Sequence, residues 1–148
     1  MKQEMTILTV LAIMFATTTT TLCLIQHGDI QEPENTWQLI SETTTATVYN
    51  AVPSQCNEDC LHTASMYTII PGKITEQRIL AMERTMMRSF GIAYGDSVLV
   101  EGAGRYDGIW QVQDTMNKRF AGQHKIDFLV PNHIRHGKWR NVKVYKRN

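Results

Sequence analysis

Two aspartates are placed where carboxyl chemistry would be expected. Asp114 and Asp127 each follow a short apolar, strand-like run, and a polar loop containing Gly122 lies between them. A carboxylate inside or at the end of a buried strand costs free energy unless it is hydrogen-bonded or put to use. A pair of this kind could supply a proton donor and a group that tunes it. Asp114 taken alone fits a simpler role equally well, the capping of a turn through the backbone amides that follow it.

The other reactive side chains are sparser. With Cys23 inside the N-terminal apolar stretch, Cys56 and Cys60 remain as an even pair in one polar loop, which reads first as a disulfide. A zinc site built on Cys56, Cys60 and His62 lacks a fourth ligand at a recognisable spacing, and a redox centre would more usually show a C-x-x-C motif. His27, His62, His124, His133 and His136 are isolated and read as surface or loop residues, with His124 close enough in sequence to Asp127 to modulate it. No metal and no cofactor is expected.

These residues must be positioned by short strands. Thr44 to Tyr49, Ser97 to Glu101, Gly108 to Val112, Lys125 to Val130 and Val142 to Tyr145 are apolar or alternating runs bounded by Gly, Asp, Asn or Pro. Many short strands with Gly-rich turns predict a mainly β fold closed as a barrel. One helix is expected between Gln77 and Gly91, where Ile79, Met82, Met86 and Phe90 fall at spacings of three and four and Gly91 suits a helix C-terminus. The same stretch also reads as a strand over Arg78 to Met82 followed by a shorter helix from about Thr85 to Phe90. Met66, Met82, Met86 and Met87 are expected as core filler around it.

Upstream, Met5 to Ile25 carries no charged residue and is long enough for a membrane anchor or the apolar part of a secretory signal. Residues 1–25 are therefore read as signal or anchor, 26–43 as a polar linker on which Trp37, Leu39 and Ile40 could dock, and 44–148 as one domain. The domain is expected in the cell envelope, periplasmic or extracellular, with the membrane as partner through the N-terminal segment. A net charge of +1 argues against nucleic-acid binding, which rests on many phosphate contacts. The charge is uneven, however: from Phe128 onward there is no Asp or Glu, whereas Arg135, Lys138, Arg140, Lys143, Lys146 and Arg147 are basic. A solvated basic end is the first reading and a surface for an anionic ligand the second.

The run Gln113 to Pro131 resembles the signature of the 3D (three-aspartate) domain family, in which one strand ends Asp-Thr-Met-Asn and a second begins Ile-Asp. Ala46-Thr47-Val48-Tyr49-Asn50 with Gln55-Cys56 is similar to the family's opening motif. Thr63-Ala64, Tyr94-Gly95-Asp96 through Gly102, and Val142 to Tyr145 are similar to later elements. The resemblance implies a six-stranded double-psi β-barrel with one or two short helices, related to the barrels of MltA-type lytic transglycosylases, RlpA and expansins. It implies peptidoglycan glycan strands as partner and Asp127 as general acid and base, with Asp114 supporting it. It also implies substrate contacts from Ser65, Tyr49, Asn117, Lys118, His124 and Trp110, and a local Cys56–Cys60 bridge. Trp110, Phe120 and Phe128 would shield the acid. One departure stands out: Ser65 occupies the place of the family's first aspartate, so one carboxylate that would raise the others' pKa is missing. A glycan-binding or loosening module without cleavage is the alternative that follows.

Overall fold

The computed structural model describes residues 36–55 and 59–148. The apolar stretch Met5 to Ile25, Cys23 and Cys56 lie outside the described residues, and with them the signal or anchor reading and the Cys56–Cys60 pairing. Among the described residues no helix is long and apolar enough to cross a membrane.

Six strands close into a mixed barrel in the order β1-β5-β2-β4-β3-β6. They are β1 (Trp37–Tyr49), β2 (Ile79–Met82), β3 (Ser97–Glu101), β4 (Gly108–Thr115), β5 (Lys125–Leu129) and β6 (Lys138–Arg147). The pairs β1·β5 and β2·β4 are parallel and the remaining four antiparallel, an arrangement compatible with a double-psi barrel. Strand β1 begins at Trp37, inside the stretch expected to be a spacer. Its polar residues are those of a strand with one solvated face, and register shifts at three points bend it so that it pairs with β6 along its length and with β5 from Thr45 onward.

Alternation decides what fills the barrel. Ala46, Leu80, Met82, Val98, Val100, Trp110, Val112, Ile126, Phe128, Val142 and Val144 point inward and are buried. Phe128 lies at the aromatic centre, 4.6 Å from Trp110 and 5.3 Å from Tyr106 between ring centroids. All four residues of β2 are buried, because its outward-facing Ile79 is covered by Ile69 and Ile74 of the long β1–β2 connection.

That connection ends in the short helix α1 (Ile74–Gln77), and α2 (Arg84–Phe90) follows β2. The shorter alternative for this stretch is therefore the one observed: Ile79 and Met82 belong to a strand. Glu83 breaks the longer helix by adopting extended backbone at the N-cap, where its carboxylate accepts from the amides of Thr85 (2.6 Å) and Met86 (3.1 Å). Gly91 ends α2 with φ 65°. Burial acts to raise the Glu83 pKa, but amides of Thr85, Met86 and Gly122 outweigh it and hold the carboxyl below its ordinary value. Met82, Met86 and Met87 are core, whereas Met66 is 74% exposed on the long connection and fills nothing.

Candidate active site

Asp127 lies between Ile126 and Phe128, both of which face the core, so its side chain points to the outside of the barrel. Across the sheet its register partners are Thr47 on β1 and Ala81 on β2. Ala81 in turn pairs with Asp114 on β4. The two aspartates thus flank a small alanine in one row, their Cα atoms about 10 Å apart at ordinary strand spacing. Lys138 continues the row beyond Thr47.

Asp114 reaches this face only through a bulge. Simple alternation from Trp110 and Val112 would send Asp114 into the core. Leu80 pairs with Val112 but Ala81 pairs with Asp114, so Gln113 is an extra residue that turns the following side chains over. Thr115 then falls opposite Met82 on the inner side, and its Oγ1 is buried without a hydrogen-bond partner.

The row is bound to the β1–β2 connection. Asp114 Oδ1 accepts from the amides of Ala64 (3.1 Å) and Thr115 (2.8 Å), and Oδ2 accepts from the Tyr49 hydroxyl (3.1 Å). The expected capping of the loop after Asp114 is met only at Thr115; Asn117 caps that loop instead, accepting from Arg119 N at 3.0 Å. Ser65 donates from its hydroxyl to Gln113 Oε1 (2.5 Å) and from its amide to Gln113 O (3.2 Å), which lays residues 63–67 against the bulge. Asp127 accepts a hydrogen bond from the Thr47 hydroxyl.

The electrostatics separate the two carboxyls. Burial pushes Asp127 up to about 6 from 3.8; the charge on Asp114 adds to the rise and Lys125 opposes it. Burial and then the charge and hydrogen bond of Asp114 hold the Tyr49 phenol well above its ordinary value.

Of the residues expected to touch substrate, Ser65 and Tyr49 join the aspartates. Trp110 does not: it is 4% exposed inside the barrel, its Nε1 donating to Tyr106 O (2.7 Å) with the Arg78 guanidinium over its ring. Phe128 is likewise on the inner face, so neither shields the acid. Phe120 stacks with Lys125, whose ammonium is 4.0 Å from its centroid. His124, at φ 48°, turns its ring edge to Phe90. Asn117 and Lys118 are exposed on the β4–β5 loop. His62, invoked for zinc, pairs with Asp59 at 2.6 Å. Thr47, Ala81, Lys125 and Lys138 are not expected at the site from sequence, Thr47 reading only as part of the opening motif and Lys138 only as part of the basic end. The alternation Lys125-Ile126-Asp127 was a signal for Lys125; Ala81 and Lys138 depend on register alone.

No protein-family model matches the chain, and no curated protein matches it.

Proposed function

We propose that this protein cleaves the glycan strands of peptidoglycan in the manner of a lytic transglycosylase, with Asp127 as the single acid and base. The carrying observation is Asp127 itself: an outward-facing, largely buried carboxyl whose pKa is lifted to about 6, so that a usable fraction is protonated near neutral pH. Protonated Asp127 gives its proton to the glycosidic oxygen as the C1–O bond breaks. The resulting carboxylate takes the proton of the sugar's own 6-hydroxyl, whose oxygen closes on C1 to form a 1,6-anhydro ring. No second catalytic carboxyl is required, unlike hydrolysis by a carboxylate pair. Asp114, fixed by two amides and Tyr49, favours the protonated acid through its charge, and Thr47 orients the carboxyl.

The family reading, three-aspartate type with a double-psi barrel, belongs to this proposal. So do an exported domain, an N-terminal anchor that a flotation assay of the expressed chain would detect, and a Cys56–Cys60 bridge that thiol counting on unfolded, unreduced protein decides. Ser65 favours a second reading, a module that grips glycan without cutting it, because it replaces a carboxylate with a neutral hydroxyl.

Incubation with purified peptidoglycan and mass analysis for 1,6-anhydro ends separates the two. Asp127→Asn should lower product release by at least ~10²-fold while binding in a pull-down persists. Equal binding by both proteins with no anhydro product from either leaves the binding module.

A further inference from the structure

The half of the barrel away from the aspartates carries an uncovered apolar row. Leu39 on β1 pairs with Tyr145 on β6, Tyr145 with Leu99 on β3, and Leu99 with Ile109 on β4. Leu99 lies between core-facing Val98 and Val100 and so points outward, and the register partners that continue the row lie on the same face. Leu39 is 40% and Ile109 51% exposed, and Leu99 and Tyr145 are half-buried. The contrast with the other half is direct: there the outward Ile79 and Leu129 are covered by Ile69 and Ile74. Single exposed apolar residues are ordinary, but four in register across four strands form a continuous surface.

The flanks of the row differ. Trp37 and its register partner Arg147 lie along one edge. The other edge carries Lys143 beside Glu101, which accepts from the Tyr145 hydroxyl at 2.7 Å, with Glu42 close enough to act on the same phenol. Aliphatic side chains and a tyrosine, with Trp37 and Arg147 along one edge, match the boundary between lipid headgroups and acyl chains.

We infer that this face rests on a phospholipid surface. The inference depends on the proposal that the N-terminal segment is a membrane anchor. Ten residues, 26–35, separate the charge-free stretch from the first described residue. Ten residues reach at most about 35 Å fully extended. The chain enters the barrel at Trp37, beside Leu39, so the tether delivers this face to the bilayer at high local concentration, and weak partitioning is enough to seat it. The aspartate row, on β5, β2 and β4, then remains open to glycan.

The test uses the full chain, labelled at isoleucine methyls, in phosphatidylcholine and phosphatidylglycerol nanodiscs doped with a gadolinium-chelating lipid. The Ile109 signal should be attenuated severalfold more than that of Ile70, which is 46% exposed on the segment covering the other half. Leu39→Glu, at an outward position of the row, should reduce the attenuation of the Ile109 methyl while the chain stays with the discs. Equal attenuation of Ile109 and Ile70 in chain that stays with the discs overturns this inference alone. Chain that fails to float with the discs overturns the anchor reading and this inference with it. An Ile109 shift that follows protein concentration, without lipid-dependent attenuation, assigns the face to a second copy and also overturns it.

Discussion

Asp127 makes the folded state sensitive to pH between about 4 and 6. A carboxyl that sits at 3.8 in the unfolded chain and at about 6 in the fold binds its proton more tightly when folded. Its contribution to stability is therefore complete below about pH 4 and is lost as pH rises through about 6. That difference is worth about 3 kcal/mol at most. Asp127→Asn keeps an acceptor for the Thr47 hydroxyl and removes the charge, so the variant should unfold at higher denaturant than wild type at pH 7 and lose the advantage at pH 4. Matched urea melts at the two pH values decide it; an equal or larger advantage at pH 4 would mean that Asp127 is not held protonated by the fold. Under the proposed cleavage by Asp127, the same value predicts that turnover falls about tenfold per pH unit above about pH 6, as the acid form is depleted.

At the scale of strands and helices, the legible and illegible parts of the sequence divide along physical lines. Strands with one face in the core announce themselves by alternation, and β3, β5 and the end of β1 were readable for that reason. β2 was ambiguous because Ile79–Met82 is buried on both faces and so shows no period of two. Residues 37–43 read as linker because the solvated face of a strand and a spacer have similar composition. The site was half legible. Asp127 follows from alternation, but the position of Asp114 depends on the extra residue Gln113, and no local pattern distinguishes that bulge from a regular strand. Trp110 was misplaced because an aromatic near an acid looks like a sugar platform until the strand's inner face is known. The bulge also makes its own prediction. It turns the Thr115 hydroxyl inward, buried and unpartnered. Thr115→Val replaces that hydroxyl with a methyl of similar shape and should stabilise the protein by about 1 kcal/mol. Chemical denaturation measures it, and a destabilised valine variant would place Thr115 on the solvated side and remove the bulge from the account.

The barrel as a whole depends on closure between the two ends of the described chain. Among the described strands β6 alone pairs with both β1 and β3, and it contributes Val142 and Val144 to the core. Asn148 completes the closure, its amide donating to Thr36 O (3.1 Å) and its side chain to Thr36 Oγ1 (2.9 Å). A barrel has no edges only while every strand is present; losing one creates two unpaired edges and opens the core to water. Each buried valine removed also costs about 1.5–3 kcal/mol of burial, against a total stability of about 5–15 kcal/mol for a domain. A chain ending at Gly137, and so lacking β6, should therefore show no cooperative thermal transition, whereas one lacking only Asn148 should melt a few degrees below wild type. A synthetic peptide spanning residues 138–148, added to the shortened chain, should restore a transition, since it supplies both missing ladders at once. Calorimetry reads all three samples. A cooperative transition in the shortened chain without peptide would show that the other five strands hold the core by themselves, and closure through β6 would then not be what the fold rests on.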